Sequence, residues 1–470
     1  MTTTTIVEPG VIPVGRRLLR KAGLAAADKW GIFFSVCAAA CTALAFVAGF
    51  RVGFALMTAI AFAAAIGGLY RPAIGLLGMS MLCTMDTLDR ALLFTGGMFP
   101  WNTFNYWLLV VMFLSLAFLL RLSDPQSRLL ELAVILLLFG LLFTPVMEDG
   151  IETALNVITF FGILTYFSRS SREDAPWFWQ AVVSGIVGAG LGCAYFVGVS
   201  SLPAINANAW AYFPVTAIFA ICLGFRFAPR RGKGQLALGM LALLNLVWVF
   251  LSGSRGTLLV GLVCMGYLIF SMRSRIQQIG YLVFGALLVL FVTLNFSALN
   301  DTAMRRINKL LDPDQSMVGR TSGRSDLAYG GLLLFLDHPF GVGTGGFTVA
   351  WARMGFRESL SGYGYGSNRE AHAGWIKILA ENGFLGFIVL ASFALSFTVM
   401  GWHRRGSGLF SFGLFITAVL CVAWVSTEFA SKGIWFLTAG ATALLNMKGA
   451  AGLSPVPPRS GPPSSPIAGR

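Results

Sequence analysis

QLALGMLALLNLVWVFLSGSRGTLLVGLVCMGYLIF, residues 235–270, is two apolar runs joined by one short break whose sole charge is Arg255. Runs of this kind, about 14 to 28 residues long, recur along the chain between short charged or Gly/Pro-containing breaks, as expected of helices crossing a hydrocarbon layer of roughly 30 Å. They begin at Trp30, Val52, Pro72, Asn102, Leu129, Ile151, Trp177, Ala209, Gln235, Gly256, Gly280, Ala373, Leu409 and Gly433. The runs at Pro72 and Gly433 are short, and Arg51 alone divides the first two. The expectation is therefore an all-α polytopic membrane protein with about 12 to 14 transmembrane helices.

Composition agrees. Of 470 residues, 56% are hydrophobic and 11% charged, too few charges to cover a soluble surface of that size. All seven cysteines lie inside apolar runs and read as small core residues, not as a disulfide framework. The 34 Lys and Arg against 20 Asp and Glu give a formal charge of +14. In a soluble chain that excess would suggest nucleic acid; here it sorts by membrane side instead, and no nucleic-acid partner is expected. With the N-terminus in the cytoplasm, alternate breaks are the basic ones: Arg16, Arg17, Arg20, Lys21 and Lys29; Arg71; Arg121 and Arg128; Arg169 and Arg172; Arg226, Arg230, Arg231 and Lys233; Arg273 and Arg275; Arg404 and Arg405. Positive-inside counting then puts both termini in the cytoplasm.

The organisation that follows is a cytoplasmic segment over 1–29, spans over 30–297, a large periplasmic loop over 298–372, further spans over 373–447 and a disordered cytoplasmic tail over 448–470. The tail is rich in Pro, Ser and Gly. The first apolar run starts only near Trp30 and is about as long as a full span, which predicts a retained first helix and no cleaved leader. The loop carries eight basic and seven acidic side chains in 75 residues, and loops of that length are usually functional. Its own apolar run, Leu327 to Leu336, predicts a short amphipathic helix over the membrane surface, followed by a glycine-built turn in His338–Phe347.

The glycines of Gly341-Val342-Gly343-Thr344-Gly345-Gly346 lack the flanking strand, helix and cytoplasmic cofactor of a dinucleotide fingerprint. A tight turn, with amides directed at a phosphate, is the better reading. Asp86 and Asp89 form an acidic pair at the outer end of the third span, read as solvated; no metal site and no cofactor are expected. His403 stands beside Arg404 and Arg405 in a cytoplasmic break. His372 stands where the loop re-enters the membrane. An interfacial anchor and a base working near neutral pH both fit it. Arg255 fits either a snorkelling contact with lipid phosphate or an anion site between glycines. Arg324, just before the apolar run of the loop, is either a surface arginine or a second cation.

Taken together these segments resemble the O-antigen ligase and polysaccharide polymerase family, the WaaL-like group with a Wzy-C domain. The likeness rests on Ser254-Arg255-Gly256 opening a span, Gly323-Arg324-Ser325, and His338-Pro339-Phe340-Gly341-Val342-Gly343 with Gly346-Phe347. It continues in Ala371-His372, then Leu379-Ala380-Glu381-Asn382-Gly383 and Gly386. It covers roughly 252–387, under a third of the chain. Members commonly have His-Asn where this chain has His372-Ala373, so no asparagine role carries over.

The resemblance implies transfer of a glycan from an undecaprenyl diphosphate carrier to an acceptor glycan, lipid A core or protein hydroxyl. The reaction would take place on the periplasmic side of the bacterial inner membrane, among membrane lipids and without a metal. His372 maps onto the proposed base, and Arg255 and Arg324 onto the cations that hold the diphosphate. The runner-up from composition and span count is a lipid-linked glycan flippase or other transporter, which should carry charged or Pro/Gly-broken residues at mid-membrane depth, whereas here the charges cluster at one exterior loop.

Overall fold

The computed structural model describes residues 14–48, 50–68, 72–83, 125–151, 153–154, 175–193, 207–225, 233–272, 274–295, 324–354, 373–405, 409–426 and 432–446. Among these the chain is helical, with no strand. The helices are α1 (Val14–Val47), α2 (Phe50–Gly68), α3 (Pro72–Cys83), α4 (Pro125–Gly140), α5 (Ala175–Cys193), α6 (Ala207–Phe225), α7 (Lys233–Leu251), α8 (Arg255–Ser271), α9 (Arg275–Asn295), α10 (Arg324–Asp337), α11 (Phe347–Arg353), α12 (Gly374–His403), α13 (Phe410–Ser426) and α14 (Lys432–Asn446). A 3₁₀ turn, Leu141–Phe143, ends α4.

The chain is an all-α polytopic membrane protein. Three stretches among the described residues are long and apolar enough to cross a membrane: Asp28–Val47, Gly234–Leu251 and Gly374–His403. Five shorter apolar helices accompany them: Glu131–Phe143, Trp177–Cys193, Ala211–Phe225, Arg255–Ser271 and Phe410–Val425. Twelve of the fourteen expected span starts fall at or within five residues of a helix start, counting Trp30 from Asp28. The span expected from Asn102, and nearly all of the one from Ile151, lie outside the described residues. Two boundaries move. Helix α1 reaches back to Val14 without a break, and the division between α1 and α2 falls before Phe50, so Arg51 belongs to the first turn of α2.

The bundle is held by close helix pairs, chiefly α5 with α6, α12 with α13, α2 with α3 and α1 with α5. Its main core gathers Trp177, Phe219, Cys222, Phe397, Phe412 and Trp424 from four of these helices, with Tyr267 of α8 stacked on Phe415 at 4.1 Å. In a lipid setting such association rests on close packing of small residues rather than on hydrophobicity. Gly224 of α6 shows this: a Cβ there would come within 2.8 Å of the Trp177 carbonyl oxygen of α5. Cys41, Cys222 and Cys264 are buried and unbridged, as core residues. The opposite pattern marks α9, where Ile276, Leu282, Leu290 and Leu294 all face outward, an apolar surface suited to lipid.

The run Leu327–Leu336 is helical, as expected, within α10. It is not amphipathic: Leu327 and Leu334 are buried, but Tyr329, Leu332 and Leu336 on the outer side are apolar too. A second, unforeseen helix, α11, follows the glycine turn. Helix α10 packs against α12, which places the turn between them beside the membrane-crossing bundle.

Candidate functional site

Helix α12 is broken at Gly383, whose φ of 64° and ψ of −161° only glycine adopts without strain. A break releases carbonyls and amides that must find other partners, because a buried, unpaired backbone group is costly. The glycine turn supplies them. The Val342 amide donates to the Ala380 carbonyl at 2.9 Å, the Gly343 amide to the Glu381 carbonyl at 3.0 Å, and the Phe384 amide to the Pro339 carbonyl at 3.0 Å. Backbones meet so closely here that a Cβ on Gly383 would lie 2.5 Å from the Phe340 carbonyl carbon.

The same turn is tied to the end of α4. Thr344 is fully buried; its amide donates to the Gly140 carbonyl at 3.2 Å and its hydroxyl to the Leu137 carbonyl at 2.9 Å. That hydroxyl also accepts from Asn382 Nδ2 at 2.9 Å. Glu381, 1% exposed and the one acid of α12, accepts from the Phe347 amide at Oε1 over 3.3 Å, and the Gly345 amide interacts with the same group. Its Oε2 is buried with no hydrogen-bond partner, as is Asn382 Oδ1. Below them Leu327, Leu334, Phe347, Trp351 and Ala380 form a small core of their own, with Phe347 stacked on Trp351.

This accounting overturns one expectation. The amides of the turn are not available to a phosphate: Gly341 donates to the His338 carbonyl and Gly346 to that of Gly343, and those of Val342, Gly343, Thr344 and Phe347 have the partners given above. The glycines serve backbone docking, with φ of 90° at Gly341, 96° at Gly343 and 78° at Gly345.

Of the three expected site residues, the structure describes one fully. Arg255 is the first residue of α8, half-buried, after a break that folds onto itself. Ser252 Oγ donates to the Val249 carbonyl at 2.6 Å and accepts from the Ser254 amide at 3.1 Å, while Thr257 Oγ1 donates to the Ser254 carbonyl. These hydroxyls are buried, so the break is fixed and Arg255 is carried at its rim. Arg324 is the first residue of α10, and its side chain lies outside the described set, as does the whole of His372. Helix α12 begins at Gly374, two residues after His372, and α10 packs on it; the main neighbours of α8 are α6 and α13. His338 is exposed, and its backbone bonds both ways, to the Leu334 carbonyl and from the Gly341 amide. Asp86 and Asp89 lie outside the described residues, and among those described no group of three or more His, Cys, Asp or Glu side chains is placed to hold a metal.

Glu381, Asn382 and Thr344 are the residues that reading the sequence for chemistry passed over. The available signal was an acid, Glu381, inside an apolar run long enough to span.

Residues 239–391 match the family model Wzy_C, described as O-Antigen ligase. The match spans about a third of the chain, and over that segment the chain is similar to the O-antigen ligase family. The segment runs from the middle of α7 into the second half of α12 and so contains Arg255, Arg324, the glycine turn and the broken helix in which that turn docks. No curated protein matches the chain. The match supports a ligase- or polymerase-type role in polysaccharide synthesis.

Proposed function

We propose that the chain transfers a glycan from an undecaprenyl diphosphate carrier to an acceptor hydroxyl, on the periplasmic side of the inner membrane. The acceptor oxygen attacks the anomeric carbon, its proton passes to His372, and the bond from that carbon to the carrier diphosphate breaks with its electron pair on the leaving group. Arg255 and Arg324 stabilise the charge that appears there; a guanidinium does so bidentately. One base and two oriented cations suffice in kind, without a metal. The observation that carries this reading is that one family-matched segment, 239–391, holds all three residues, each at or just before the start of a helix: Arg255 of α8, Arg324 of α10 and His372 two residues ahead of α12.

The test is incubation of purified protein with an undecaprenyl-diphosphate-linked oligosaccharide, followed by gel analysis for chain growth or for transfer to lipid A core. Growth of a ladder identifies a polymerase, and a single shift of the acceptor a ligase. A second reading, a lipid-linked glycan flippase, draws on the break at Gly383 and the buried Glu381, since broken helices and buried acids recur where membrane helices line a transport path. Movement of the lipid-linked glycan across proteoliposomes with no product formed would favour that alternative.

A further inference from the structure

Glu381 is buried, yet the hydrogen bond it makes does not account for an acid. A glutamine of the same shape would accept the Phe347 amide equally well and would avoid the cost of removing a charge from water. The carboxyl also leaves Oε2 without a hydrogen-bond partner. The charged groups that face it are Lys377, one helical turn earlier on α12, and Asp149, in the segment after α4. From the turn it meets the amides of Gly345 and Phe347. Lys377 is half-buried and stands in the first turn of α12, five residues after His372.

A carboxyl that accepts from the docked turn and stands one helical turn from Lys377, on the same face of α12, ties the entrance of the helix to the turn. We propose that Glu381 is a positioning residue for glycan transfer, acting through Lys377 on the end of α12 that continues to His372. It touches no substrate; its role is to fix the charge and the placement of that end. This rests on the transferase reading above.

The experiment uses the purified full chain with an undecaprenyl-diphosphate-linked oligosaccharide as donor, comparing the wild type with Glu381→Gln, Lys377→Met and the double variant. Glu381→Gln is expected to keep its thermal midpoint, or raise it, because the amide still accepts from Phe347. Its kcat should fall about ten-fold or more, the scale on which small misplacements act, with KM for the donor within about two-fold of the wild type. Lys377→Met should lower kcat similarly, and the double variant should be no worse than the poorer single, because the two residues act as one unit. Full turnover by Glu381→Gln overturns the proposal. So does a fall in its thermal midpoint alongside the lost activity, which would make the carboxyl mere structural support, and so do additive losses in the double variant. A wild type that transfers nothing sinks the transferase reading itself, a result distinct from an active wild type matched by its Glu381→Gln variant.

Discussion

Asn382 Nδ2 donates to Thr344 Oγ1 at 2.9 Å, joining the broken part of α12 to the glycine turn across 38 positions of sequence. The same hydroxyl donates to the Leu137 carbonyl, so one threonine links three segments of the chain. Thr344→Val keeps the shape and removes both bonds, leaving the buried Asn382 amide unpaired at a cost of about 1–3 kcal/mol. A clear drop in thermal midpoint is expected, with recovery in Thr344→Ser, which retains the hydroxyl. Equal midpoints for Thr344→Val and the wild type would show that the turn is held by its backbone bonds alone.

Gly383→Ala tests those backbone bonds. The position has a φ of 64° and no room for a Cβ beside Phe340, so alanine strains the kink by about 1–3 kcal/mol and also collides with the docked turn. Yield of monodisperse protein after detergent extraction should fall sharply. Gly266, where nothing lies within 4 Å of an added Cβ, should tolerate the same change and serves as the control.

The bundle was legible in the sequence because lipid forces it: a run of apolar residues between charged breaks has to become a helix, and the starts at Trp177, Gln235 and Gly256 fall within two residues of α5, α7 and α8. The docked turn was legible only as a cluster of glycines. Its partners, the carbonyls of Ala380 and Glu381, are backbone atoms that no residue type advertises, and the positive φ that exposes them sits at a glycine inside an apolar run. The phosphate reading of the turn failed for the same reason. Whether a backbone amide is free depends on which distant carbonyl reaches it, and Gly140 and His338 carry no signal of that. Glu381 was visible as an acid among apolar residues, but its contact with Phe347 spans 34 positions and needs the fold.

Topology is tested with cysteines on either side. Positive-inside counting predicts that a cysteine at Gly362, in the large loop, reacts with a membrane-impermeant thiol reagent in intact cells, and that one at Gly406 does not. Both positions lie outside the described residues. The background should lack the half-buried Cys37, Cys193 and Cys421 in case any of them reacts. The reverse labelling pattern would move the whole proposed site to the cytoplasm.

His372→Ala is expected to abolish transfer while leaving expression and binding of the lipid-linked donor near normal, since loss of a positioned proton acceptor costs about 10²–10⁴-fold in rate. His338→Ala should be milder. His338 is exposed, and its part in the turn is played by its backbone, which alanine retains. Turnover measured for both variants decides the assignment. The opposite order of severity would transfer the base to His338.

Arg255 is the sole charge in a break whose Ser252 and Thr257 hydroxyls are bonded to its own backbone, so the break has hydrogen bonds that a change at Arg255 does not remove. A planar guanidinium holds two phosphate oxygens at once, whereas lysine offers a compact point charge on a flexible stem. Arg255→Lys should therefore keep part of the attraction for the carrier and lose the two-point fit, lowering kcat more than it weakens donor binding. Arg255→Ala should lose both. Each is read from kcat and KM with the undecaprenyl-diphosphate-linked donor, alongside a thermal midpoint to confirm that α8 remains seated. Turnover by Arg255→Lys equal to the wild type would refute bidentate recognition at this position. Full activity in Arg255→Ala would reduce the residue to a lipid anchor and leave Arg324, at the head of α10, to hold the diphosphate alone.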